Sequence, residues 1–143
     1  MDPDVDLHVP AQRRELDLAV LAAISAGGVL GALARYGVAA AWPHPAGGFP
    51  WSTLLINVSG CFLIGVLMVI VTRVTPQQRL LRPFAGVGVL GGYTTFSTYI
   101  VDIYRTTPWA ALAYLGITLV GAMTAVWAGA ELADRATNRL VKR

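Results

Sequence analysis

The chain has 143 residues, of which 55% are hydrophobic and 13% charged, with a formal net charge of +3 and a single cysteine. Soluble domains carry about 25% charged residues, so this composition excludes an ordinary soluble fold and predicts one integral membrane domain. The basic residues sit in short polar stretches beside apolar runs, which argues against nucleic-acid binding. Cys61 within an apolar run and two distant histidines exclude an intrachain disulfide and the usual transition-metal spacings.

Residues 1–17 are polar, with Pro3, Pro10 and the pair Arg13-Arg14, and read as a tail that is disordered or lies on the membrane surface. The apolar run that follows is too long for a signal-peptide core and no clean cleavage site comes after it, so both are expected to be retained. Four apolar segments come next, about Leu18 to Ala41, Thr53 to Thr72, Phe84 to Tyr104 and Trp109 to Ala130. Each has roughly the 20 residues needed to cross about 30 Å of hydrocarbon. The predicted organisation is a polar tail (1–17), a four-helix membrane domain (18–131) and a basic tail (132–143).

Four crossings put both termini and the second loop on one side. That side holds Arg13, Arg14, Arg73, Arg79, Arg82, Arg135, Arg139, Lys142 and Arg143; Arg105 lies on the other, with Arg35 toward the same end of the first span. The positive-inside rule then predicts a multi-pass protein of the cell membrane with both termini cytoplasmic. Small residues recur four apart, as at Gly27 and Gly31, Cys61 and Gly65, Gly88 and Gly92, and Gly121, Ala125 and Gly129. Such stripes let helices approach closely in lipid.

The third segment contains Gly91-Gly-Tyr-Thr-Thr-Phe-Ser-Thr-Tyr99, a poor recipe for a lipid-embedded helix. The fold expected is therefore all-α with four transmembrane helices, the third broken near Gly91 to Thr95. Non-helical backbone at membrane depth survives only when it is sheltered by protein or lines a cavity. Carbonyls freed at such a break can coordinate a cation, and Thr94, Thr95, Ser97 and Thr98 offer hydroxyls to an anion. Phe96 and Tyr99 share a helix face and present ring edges of positive potential. Asn57 is either an interhelical glue or a pathway donor, and Arg35 either snorkels to headgroups or attracts anions. Asp102 is a pathway carboxylate or an interfacial partner of Arg105. No acidic residue or lysine lies at a span centre and no nucleophile–base pair is visible, which disfavours proton-driven export and intramembrane catalysis.

Gly28-Val-Leu-Gly-Ala-Leu-Ala-Arg-Tyr36, Asn57-Val-Ser-Gly60 and Gly88-Val-Leu-Gly-Gly-Tyr-Thr-Thr-Phe-Ser-Thr-Tyr99 resemble the CrcB/Fluc fluoride channels of microbes, in order and over all four spans. The resemblance implies passive fluoride export by an antiparallel dimer with two pores and a central structural Na⁺ that is not transported. It implies that Gly91 and Thr94 supply backbone carbonyls to the Na⁺ and that Arg35 lines a vestibule. Asn57, Phe96, Thr95, Ser97 and Thr98 would line the pore, with Tyr114 matching a polar-track tyrosine. The chain departs from the pattern at Tyr99, where a second pore phenylalanine is usual, and at Asp102, where a glutamate is common.

The uneven charge split predicts one fixed orientation, which suits pairing with an oppositely oriented paralogue; a homodimer is the alternative. A small multidrug-type exporter would need a membrane-embedded glutamate in the first span, which is absent. A non-transporting assembly protein would use Asn57 and the hydroxyls merely to join helices.

Overall fold

The structure, a computed structural model, describes residues 17–45 and 47–141. Tail residues 1–16, with Arg13 and Arg14, and the terminal Lys142 and Arg143 lie outside the described residues. Among those described, every regular element is helical. Helix α1 (Leu18–Ala41) opens on Asp17, whose carboxylate accepts the Ala19 N–H at 3.3 Å. It stops at Trp42, because Pro43 disfavours helical backbone in the residue before it. The connecting loop turns at Gly47, whose φ of 79° is a left-handed value that glycine tolerates. Helix α2 (Trp51–Val74) widens over its last turn to i→i+5 hydrogen bonding, and α3 (Arg82–Leu90, continued by Gly91–Tyr93) begins with the same wide turns. Helix α4 (Phe96–Arg105) follows at once, and α5 (Pro108–Val141) starts on a proline whose missing N–H costs nothing in a first turn.

Helices α1, α2 and α5 are each long and apolar enough to cross a membrane. Little of their surface is buried within the chain: Val29, Leu33, Leu119, Val120, Met123 and Trp127 are all exposed. Such an apolar exterior suits lipid and other protein chains, not water.

Two glycine seams hold the helices together. Along α1 and α3, a methyl on Gly31 would collide with the Val89 carbonyl, and one on Gly88 would stand 2.7 Å from the Ile24 carbonyl oxygen. Along α2 and α5, methyls on Gly65 and Gly129 would strike the Val126 and Phe62 carbonyls. The small-residue stripes are therefore contact lines at which backbones touch.

Helix α5 runs on past Glu131 through the stretch read as a basic tail. Arg135 donates to Glu131 at 2.8 Å and Asn138 to Asp134 at 3.0 Å, i,i+4 pairs that support a helix beyond the apolar stretch. Asp134 pairs with Arg73 at the end of α2. At the same end, Arg79 pairs with Asp17, and this hydrogen bond is the main cause holding the Asp17 carboxyl below the usual carboxylate range.

Candidate ion pathway

The site is built on the interruption between α3 and α4. Helical backbone ends at Tyr93; Thr94 (φ −73°, ψ 158°) and Thr95 (φ −147°, ψ 121°) are extended. Each displaced polar group finds a substitute. The Thr95 N–H donates to Asn57 Oδ1 at 2.9 Å, and Asn57 Nδ2 donates to the Thr95 carbonyl at 3.0 Å. Thr95 also caps α4: its Oγ1 accepts the Thr98 N–H at 3.1 Å and donates to Thr98 Oγ1 at 3.0 Å. Thr94 Oγ1 donates back to the Leu90 carbonyl at 2.9 Å. Gly60 on α2 makes room for the Thr94 methyl, which would clash with any larger residue there.

This rearrangement frees the carbonyls of Gly91, Gly92, Tyr93 and Thr94 from i→i−4 bonding. Of the donors they would have met, the Thr95 N–H goes to Asn57 and the Thr98 N–H to the Thr95 hydroxyl. Arg35 Nη1 donates to the Thr94 carbonyl at 3.2 Å, so the guanidinium turns to the break and not out toward headgroups. One lone pair of Thr94 and the exposed carbonyl of Gly91 fit a small hard cation, which takes oxygen ligands.

Beside the break lies a chamber of about 310 Å³, lined by Asn57, Thr94, Thr95, Phe96, Tyr99 and Thr118, with apolar neighbours. Its lining residues carry no formal charge. Tyr99 is buried, with its ring centroid 6.0 Å from that of Phe96 and 5.0 Å from that of Tyr114. Phe96 itself is 75% exposed on the outer face of the chain. The hydroxyls of Tyr114 and Thr118, one helical turn apart on α5, are buried and lie close to each other, with Thr53 also near that of Tyr114.

The break thus gathers Asn57, Thr94, Thr95, Phe96 and Tyr99. Ser97 and Thr98 are exposed and do not line the chamber, and Thr98 is engaged by Thr95. Gly91 is exposed, and Arg35 reaches the Thr94 carbonyl. Asp102 is bound by Thr53 Oγ1 at 2.7 Å and faces His44 Nε2 at 3.5 Å, where the sequence suggested Arg105 as its partner. Three residues escaped the sequence reading: Thr118, Thr53 and His44. The first two carried a signal, since Thr118 is four residues after Tyr114 and Thr53 four before Asn57, extending the polar faces of their helices. His44 carried none, because its contact with Asp102 spans half the chain.

Residues 22–130 match the family model described as CrcB-like protein, Camphor Resistance (CrcB). The chain belongs to the CrcB family. Among its members, the protein named Fluoride-specific ion channel FluC 2 of Nocardia farcinica is 52% identical over 136 residues, covering 92% of this chain and 96% of that one. FluC 2 of Thermobifida fusca is 53% identical over 129 residues (84% and 95% covered), and FluC 2 of Streptomyces avermitilis 50% identical over 125 (82% and 79%). The CrcB match takes in α1 to α4 and the apolar part of α5, so the break, the chamber and both glycine seams fall within it.

Proposed function

We propose that this chain is a fluoride-selective ion channel, not an enzyme, through which F⁻ leaves the cytoplasm passively across the cell membrane. The observation that carries the reading is the identity of 50–53%, over most of the chain, to relatives named fluoride-specific ion channels. The chamber's chemistry agrees with it. Fluoride is small and strongly hydrated, so a pore must replace its water with several donors yet release it readily. Uncharged donors at Thr118 and the spare N–H of Asn57, with the ring edges of Phe96 and Tyr99, meet both needs.

In this reading α3 and α4 together form a fourth crossing, broken at Thr94-Thr95, and both termini are cytoplasmic. The working unit is an antiparallel dimer, so that Phe96, exposed in one chain, is covered by the other. A structural Na⁺ at the dimer centre would be held by the carbonyls of Gly91 and Thr94. Bound there, it would offset the dipoles of carbonyls that the break leaves without helical partners, alongside the hydrogen bond from Arg35 to Thr94. The uneven distribution of basic residues favours an oppositely oriented paralogue as partner over a second copy. Numbered relatives such as FluC 2 and FluC 3 within Streptomyces avermitilis supply a precedent for several such chains in one organism.

Expression in a bacterium made fluoride-sensitive by loss of its own exporter tests the function. Restored growth on fluoride, with the chain alone or with its paralogue, is expected; growth unchanged in both cases would refute it.

A further inference from the structure

A second cleft, of about 220 Å³, opens beneath the loop between α1 and α2 and is lined by His44, Pro45, Gly47, Gly48, Asp102 and Arg105. It stands directly above the chamber. Asp102 is one turn beyond Tyr99 on α4, and Thr53 one turn before Asn57 on α2. Tyr114 joins the two levels, its ring packing on Tyr99 at 5.0 Å and edge-on against the loop residue Phe49 at 5.4 Å. An anion that moves past the Thr118 and Tyr114 hydroxyls of α5 toward the loop therefore meets the Asp102 carboxylate, which lies close to Tyr114.

That carboxylate is an obstacle to an anion unless its charge is offset. It is 9% exposed, and the Thr53 hydrogen bond supplies no charge. The imidazole of His44 does: Nε2 faces Asp102 Oδ1 at 3.5 Å, while Nδ1 lies 3.4 Å from Ser52 Oγ. Pro43 and Pro45 on either side of His44 fix φ and limit the loop's freedom to carry the ring away. The groups facing His44 are Ser52 and Thr53 from α2, Asp102 and Arg105 from α4 and, across Asp102, Tyr114 from α5. Of these side chains, histidine alone ordinarily changes charge between pH 5 and 8.

We propose that His44 is the titratable counter-charge of Asp102 at the loop-side mouth of the pathway, so that flux rises as the pH bathing the loop falls. The proposal rests on the fluoride-channel reading. With His44 protonated, the Asp102–His44 pair is neutral and an anion passes; with His44 neutral, Asp102 loses its nearest counter-charge and only Arg105, farther along the cleft lining, offsets it.

The test is fluoride efflux from proteoliposomes buffered equally on both sides at pH 8, 7 and 6, with leakage from protein-free vesicles subtracted. Wild-type flux should rise about three- to tenfold from pH 8 to pH 6, tenfold being about 1.4 kcal/mol of barrier. His44→Gln should hold flux low at every pH, and His44→Arg, permanently charged, should hold it high. His8 is unchanged in both variants. A pH response in His44→Gln equal to that of wild type, or a low flux at every pH in His44→Arg, would overturn the role of His44 alone. Absence of wild-type fluoride flux at every pH would overturn the channel reading and this proposal with it.

Discussion

Asn57 and Thr95 exchange two hydrogen bonds across α2 and the α3–α4 break, at 2.9 and 3.0 Å. A side-chain amide, with one acceptor and two donors, is the one group of this size that can pair with both halves of a peptide and keep a donor in reserve. The same residue thereby fixes the break and offers an N–H to the chamber beside it.

Asn57→Ala should orphan the Thr95 N–H and carbonyl together, at about 1–3 kcal/mol for each group. Chemical denaturation in detergent should show that loss. Asn57→Asp keeps the acceptor but sets a carboxylate against the Thr95 carbonyl and the pathway, and should cut fluoride flux by at least about tenfold, or 1.4 kcal/mol of barrier. Unchanged flux in Asn57→Asp would remove this residue from the path.

Tyr114→Phe and Thr118→Val make a different prediction for stability. Each removes a buried hydroxyl that makes no well-formed hydrogen bond in the chain, though those of Tyr114, Thr118 and Thr53 lie close together, so folding should change by no more than about 1 kcal/mol. Flux should nevertheless fall, by about tenfold for each donor lost. Thermal melts and efflux rates on the same preparations separate the two effects.

Between Gly91 and Thr98 the sequence offers two glycines and four Ser/Thr hydroxyls, a poor helix former in lipid, and the backbone at Thr94 and Thr95 is extended. The boundaries of α1 were legible in the sequence, set by the polar tail and by Trp42-Pro43. Asn57 was visible as a polar group at depth, but its choice of partner was not, since Thr95 lies 38 residues away and any of four hydroxyl residues offered a plausible contact. Arg35 read as a snorkelling or vestibule cation; its bond to the Thr94 carbonyl depends on glycines of α1 and α3 that bring the two backbones into contact. Helix α5 continues beyond the apolar segment, its final turns held by charged i,i+4 pairs and by Arg73, which an apolar window does not detect.

Arg35→Ala should leave the Thr94 carbonyl dependent on the proposed Na⁺ alone. Flux in this variant is expected to drop more than in wild type when Na⁺ is exchanged for a bulky organic cation. An equal drop in both would separate Arg35 from the cation site.

The glycine seams give a contrast within one helix type. Gly65→Ala drives a methyl into the Val126 carbonyl and should cost about 1–3 kcal/mol by overpacking. Gly116→Ala meets nothing within 4 Å and should be neutral or slightly stabilising, since alanine is favoured in helices by about 1 kcal/mol. Melting temperatures in one detergent check both.

The most direct test of the account is fluoride release from proteoliposomes, followed with an ion-selective electrode for the chain alone and mixed with its paralogue. Release faster than about 10⁶ ions per second per protein is predicted, beyond the μs limit of a carrier's conformational cycle, with chloride retained in the same vesicles. No fluoride release in either preparation, or release of chloride at the same rate, would contradict a fluoride-selective channel.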